Sequence, residues 1–428
     1  MKVTAYIFLL FLSLNAMAQD NIYPAGKQLG TLIIANGTIH TGTGDVIRKG
    51  TIVIKDGKIS KISEQPESTE GGTVIDASGK NVYPGLILPS TDLGLREIGS
   101  GVRGSNDYFE LGEYNPDVRA VVAYNTDSRI INTLRSNGIL LANIMPEGRL
   151  LTGTSSVVQL DAWTWEDALY KADNGMVLNM PLLMKPLRRF GPPPATDPVS
   201  EDLKKIEGLK SFFKEAKAYK NTSDKQETNL KFEALKPLFE KKQKLFVHAE
   251  TARQILMAID LAKTFDINVV IVGGSDSYLV ADLLKQNNIP VILNTLHALP
   301  TLEDDAVDQP FKTPALLKKA GVLFALNDDA EEPRYRNLAF LAGTAASYGL
   351  SKEEALQAIT GNTAKILGID DRTGTLEVGK DANIIISTGD VLDMGQSVIT
   401  DAFIQGRKIN LANKQTQLYE RYKEKYQL

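Results

Sequence analysis

The sequence predicts an α/β chain, a TIM-like (β/α)8 barrel carrying a small β domain built from both ends of the chain. Three observations lead there. Strand-like and helical text alternate four times in succession in the second half. β-rich text with hairpin signals stands near both termini. And 428 residues suffice for one large domain plus a small one.

From Thr31 to Ser63 the text is strand-like, and "TIVIKDGKISKI" places two alternating runs around Asp56-Gly57, a strong short-range hairpin signal. The C-terminal counterpart is "GTLEVGKDANIIIST" and then "DAFIQGRKI", which turns at Gln405-Gly406. Between them "KLFVHAE" precedes "TARQILMAIDLAKTFD", "NVVIVGG" precedes "SYLVADLLKQNN", "IPVILNT" precedes "TPALLKKA", and "GVLFALND" precedes "RNLAFLAGTAASYG". Each strand is short and continuously apolar, as in a parallel sheet covered on both faces. Four such units with room for four more upstream give the closed barrel. The expected division is a composite β domain over 19–80 and 373–412, a barrel over 81–372 and a C-terminal tail over 413–428. Within the barrel a charged helical insertion is expected near 183–244, after the Pro-rich "RRFGPPPATDPVS". Its charges read as a solvated helix face.

Composition narrows the function. Hydrophobic content of 43% and charged content of 23% are ordinary for a globular protein, and a net charge of −4 gives no reason to expect nucleic acid. The opening "MKVTAYIFLLFLSLNAMAQD" has a lysine, an apolar run from Tyr6 to Leu14 and Ala16-Met17-Ala18. That is a secretory signal over residues 1–18, with an apolar run too short to span a bilayer comfortably. The expectation is a soluble exported protein, periplasmic, with no membrane attachment after cleavage. The chain has no cysteine, hence no disulfide and no thiolate chemistry.

Reactive groups in such a barrel sit at the C-terminal ends of the strands. The clear units end in His248 and Glu250, in Gly273, Gly274 and Ser275, in Asn294 with His297 a little beyond, and in Asn327, Asp328 and Asp329. Serine hydrolysis lacks its motif, since Ser155 and Ser156 in "LLTGTSSVVQL" have no G-x-S-x-G elbow.

Three stretches resemble the amidohydrolase superfamily, in its imidazolonepropionase-like branch. "VIDASGKNVYPGLI" is similar to the lead-in to that family's first barrel strand, and "FVHAE" to its fifth-strand segment. The run from "GVLFALNDDAEEPRYRN" to "GKDANIII" is similar to its eighth strand and the C-terminal stretch beyond it. The resemblance covers most of the chain from Thr31 to Ile409 and is thinnest from Pro181 to Lys244. It implies metal-dependent hydrolysis of a C–N bond in a cyclic amide or dipeptide-like substrate. It also implies oligomeric assembly, and a substrate-side loop at "LLTGTSSVVQL". It further implies one or two divalent metals, held by an H-x-H after the first strand, a histidine after each of strands five and six, and an aspartate after strand eight. Residues i and i+2 of a strand point the same way, so an H-x-H delivers both imidazoles to the mouth. The metal then acidifies a bound water whose proton the aspartate can take.

Carried over position by position, the H-x-H falls on Ser90 and Asp92 in "VYPGLILPSTDLGL", the fifth-strand histidine on His248, and the sixth-strand histidine on Gly273. The aspartate falls on Asp328, with Asp329 one residue away. Only three histidines exist in the chain, and His40 lies in the N-terminal β segment. The family's usual site therefore cannot be built. Asp92, His248 and Asp328 could form a different site for zinc, manganese or iron, with His297, Glu250 or Asp329 as accessories. Alternatively Asp92 pairs with Arg96 or Arg103, Asp328 caps a helix, and the barrel has no metal and no hydrolysis. It would then serve as a ligand-binding protein, or as a partner of itself or of a full-motif relative.

Overall fold

The computed structural model describes residues 22–64, 71–97, 106–184, 196–222, 227–294, 296–300, 305–328 and 332–428. The signal segment over 1–18, Arg103 and Asp329 lie outside them.

Along the chain come β1 (Thr31–His40), β2 (Val46–Lys55), β3 (Lys58–Ser63), β4 (Gly72–Asp76) and β5 (Asn81–Pro84). Then come β6 (Leu86–Thr91), β7 (Ile139–Ile144), β8 (Leu151–Gln159), β9 (Leu169–Asn179), β10 (Lys244–Ala249), β11 (Val269–Gly273), β12 (Val291–Leu293) and β13 (Phe324–Leu326). Last are β14 (Ile384–Ser387), β15 (Ile399–Ile404) and β16 (Arg407–Lys408).

The first and last groups make one sheet in the order β16-β15-β14-β5-β1-β2-β3, with β4 also paired to β1. Both hairpins turn where expected. Asp56 and Gly57 have φ of 50° and 77°, and Gln405 and Gly406 have φ of 48° and 70°. Positive φ at both central residues suits the twist of the flanking strands. The two turns also meet, since a Cβ on Gly57 would stand 2.9 Å from the Gln405 carbonyl oxygen. Alternation along β14 sets the sheet between two cores. Ile384 and Ile386 pack with Ile34, Ile52 and Phe403 inside the small domain, whereas Ile385 joins the barrel core with Ala402 and Ile404.

The middle group forms an eight-stranded sheet in sequential order from β6 to β13, nearly closed into a barrel. One strand departs from the all-parallel expectation. β8 runs antiparallel to both β7 and β9. The loops on either side of it, 145–150 and 160–168, are too short for the dozen or more residues a parallel crossover needs. "LLTGTSSVVQL" is therefore a buried strand rather than the loop expected of it. Its hydroxyls are satisfied internally, with Ser155 Oγ donating to Asn174 Oδ1 at 2.9 Å and Ser156 Oγ accepting from the Asp173 amide at 2.9 Å.

At the seam β6 and β13 do not pair. The Ile87 amide instead donates to the Ile359 carbonyl at 3.0 Å, and the Ser90 amide to Asn327 Oδ1 at 3.3 Å. Helices run over Pro198–Asn221 and Leu230–Phe239 between β9 and β10, and a last helix over Lys414–Tyr426. No helix among the described residues is long and apolar enough to cross a membrane.

Candidate active site

β6 and β10 to β13 run parallel, so their C-terminal ends open on one mouth. Ser90 is buried near the end of β6, and its hydroxyl points to the Met145 sulfur at 3.4 Å. Asp92 comes just after the strand and is buried too. Tyr335 donates its hydroxyl to Asp92 Oδ1 at 2.5 Å, and Arg96 Nε lies 3.0 Å from Oδ2. The same guanidinium reaches Glu147 at 2.7 Å and stacks over the Tyr108 ring at 3.9 Å. Asp92 is thus already matched by a cation and a hydroxyl. Arg96, one of the two arginines named for it by sequence, is at Asp92, and Arg103 lies outside the described residues.

His248 is the second-last residue of β10, partly exposed between buried Val247 and Ala249. Burial pushes its pKa down to about 4, which keeps the ring neutral near pH 7. Its ring makes no hydrogen bond among the described residues.

Gly273 ends β11 with φ of 100°, and a Cβ there would lie 2.2 Å from Glu250 Oε1. The Glu250 carboxylate thus fills the space a side chain at 273 would need. It is anchored by Ser275, whose amide and hydroxyl donate to Oε2 at 3.1 and 2.6 Å. No histidine fits at this position while Glu250 stays.

Asn327 is fully buried and ties three strand ends together. It accepts from the Ser90 amide and donates through Nδ2 to Asn294 Oδ1 at 3.0 Å. Asp328, next in sequence, is buried two residues past β13. His297 is exposed and is drawn to the outer helices, with Nε2 2.7 Å from Thr344 Oγ1 and its ring edge-on to Phe311. Burial, then the nearby Arg334, holds its pKa below the usual value.

The metal fits poorly. Among the described residues no three His, Asp or Glu side chains come together in a way that could hold an ion. The nearest thing to a donor on β6 is Asp92, which is spent on Arg96 and Tyr335. A cavity does remain at the mouth, between Gly273, Ser275, Leu293 and Asn294 on one side and Leu299 and Thr313 on the other. Asn327 was named by sequence at the end of its apolar run, whereas Tyr335 and Glu147 are site residues that sequence reasoning missed, neither carrying a local signal that could have found it.

Residues 270–409 match the amidohydrolase family. Imidazolonepropionase of Thermoplasma volcanium is 25% identical over 354 residues, 80% of this chain and 84% of that relative. The 5'-deoxyadenosine deaminase of Methanosarcina mazei is 36% identical over 88 residues, only 20% of this chain and 19% of that relative. Among solved structures an amidohydrolase from Thermotoga maritima superposes with a TM-score of 0.76 at 26% identity, covering 89% of this chain and 99% of that one.

Proposed function

Because the chain belongs to the amidohydrolase superfamily, on its imidazolonepropionase-like branch, we propose that its mouth still receives an amide or dipeptide-like small molecule but that metal-dependent C–N hydrolysis is reduced or lost. The observation that carries this is the Asp92 carboxylate held between Arg96 Nε and Tyr335 OH. A divalent cation bound there would face a guanidinium about one hydrogen bond away, and like charges at that range oppose each other. Gly273, with Glu250 over it, withdraws a second position. The polar groups that remain suit binding. Neutral His248 can donate or accept one hydrogen bond, and the Ser275 and Asn294 side chains line the cavity.

One observation favours a second reading. Glu250 brings a carboxylate to the place of the missing sixth-strand donor, so a remodelled mononuclear hydrolase could recruit it beside His248. Export to the periplasm by residues 1–18, and pairing with another copy or a full-motif relative, belong to the same proposal.

Metal content by mass spectrometry separates the readings. The mature protein is purified without added metal or an affinity tag and measured again after soaking in zinc, manganese and iron. Substoichiometric metal, unchanged in His248→Ala and Asp328→Asn, is the expected result. Near-stoichiometric metal that disappears in both variants would overturn it and direct the search to a hydrolase screen. A melting-temperature rise with an amide ligand that is not turned over would mark the retained pocket.

A further inference from the structure

The opposite face of the barrel carries a second concavity. It lies at the N-terminal ends of β10 to β13, with Lys244, Val269, Pro290 and Leu323 on its floor and rim, and measures about 710 Å³. That is within the size range of small-molecule sites. Lys241, Lys244, Lys263, Lys285 and Lys365 line it, with Asp266 as the single carboxylate. Asp266 is taken by Lys241 Nζ at 2.7 Å. The overall chain is acidic, so this concentration of one sign is local.

Lysines near helix C-termini ordinarily offset the helix dipole, and Lys263, Lys285 and Lys365 do stand in last turns. At the helix Gly361–Leu367 that role is filled by others. Lys244 Nζ donates to the carbonyls of Ile366 at 2.5 Å and Lys365 at 3.2 Å, and Lys171 Nζ to that of Gly368 at 2.6 Å. Lys263, Lys285 and Lys365 bond none of these carbonyls and pair with no carboxylate among the described residues. Burial first, then the like charge of Lys171, pulls the Lys244 pKa down to about 8, and Asp370 opposes this only in part. Positive charge here lacks full compensation.

We propose that this cleft is a binding site for a small polyanion, a ligand carrying two or more phosphate or carboxylate groups. Three unpaired ammonium groups on three different helices surround the opening, and Lys244 adds to the field from its wall. The concave shape selects a compact ligand. The cleft is independent of the chemistry of the mouth.

Isothermal titration with inorganic pyrophosphate and, separately, citrate tests it on the full mature chain at roughly 50 mM salt, where screening is modest. One site per chain is expected, weakened about fivefold or more by Lys263→Gln or Lys285→Gln and further by the double variant, with Lys423→Gln on the tail helix unchanged. These side chains are exposed, so unliganded melting temperatures serve as the check on folding. Binding of pyrophosphate alone assigns a phosphate-bearing ligand, of citrate alone a polycarboxylate, and of both a polyanion recognised by charge. No saturable binding of either, or binding that the double variant leaves within about twofold of the parent, overturns the proposal.

Discussion

Asp92 shows how one residue's partners decide what a position can do. A buried carboxylate costs free energy unless it is matched, and here a guanidinium and a phenol match it. Tyr335→Phe removes one short charge-assisted bond and is expected to lower stability by about 1–2 kcal/mol in urea unfolding. Arg96→Met leaves the charge with Tyr335 alone and should cost more, about 2–3 kcal/mol, the guanidinium being only partly buried. If instead Arg96→Met were neutral and led to metal uptake, Asp92 would be a ligand held in reserve. His248 gives a pH signature. Its pKa falls from 6.5 in the unfolded chain to about 4 in the fold. Between those values the unfolded state binds the extra proton, so stability declines as pH drops from 6.5 toward 4, by about 2 kcal/mol after allowance for partial exposure. Comparing His248→Gln with the parent at pH 7 and pH 5 isolates that contribution. His248 and Asp328 were legible as residues at strand ends. Tyr335 was not, because its contact with Asp92 bridges 243 positions of sequence.

Elements were legible where local pattern and tertiary role agree. The last four barrel strands are short apolar runs succeeded by helices, and each of the two hairpins has a glycine of positive φ in its turn. β8 was misread because the loop was carried over from the family resemblance, and the hydroxyl bonds that settle Thr152, Thr154, Ser155 and Ser156 in a buried strand are visible only once their neighbours are in place. The loop lengths around it did contain the information, since neither could house a crossover helix. Gly57 ties two elements together. A side chain there must adopt φ of 77° and would meet the Gln405 backbone at 2.9 Å. Gly57→Ala is expected to cost about 2 kcal/mol, more than the roughly 1 kcal/mol of a strained turn alone. Thermal unfolding alongside Gly79→Ala separates the two contributions. Gly79 also has positive φ, at 73°, but open space around it, so its loss should be the smaller.

At the scale of the whole molecule, two buried carboxylates join the chain ends to the barrel. Asp161 lies just past β8 and receives Arg135 from the helix Arg129–Ser136, Arg407 Nη1 from β16 at 3.0 Å and the Ala25 amide at 2.8 Å. Asp381 receives the Tyr170 hydroxyl from β9 at 2.6 Å, Arg372 at 2.9 Å and Lys58 from the first hairpin at 3.0 Å. With both termini in one sheet, and that sheet's inner face part of the barrel core, the small domain loses one of its two cores once the barrel opens. Burial raises the Asp381 pKa, but Tyr170, Lys58 and Arg372 together outweigh it and hold the carboxyl below its ordinary 3.8. A depressed carboxylate stabilises the fold above its unfolded pKa, and that contribution is lost as pH falls below about 4. Asp381→Asn should therefore lower stability at pH 7 and flatten the acid limb of the stability curve below pH 4. Asp161→Asn strands two arginines and should cost about 3–5 kcal/mol. If the two domains form one cooperative unit, each variant lowers a single calorimetric transition. A split into two transitions, with the barrel's unmoved, would show that the composite sheet is an appendage and that the geometry of the mouth does not depend on it.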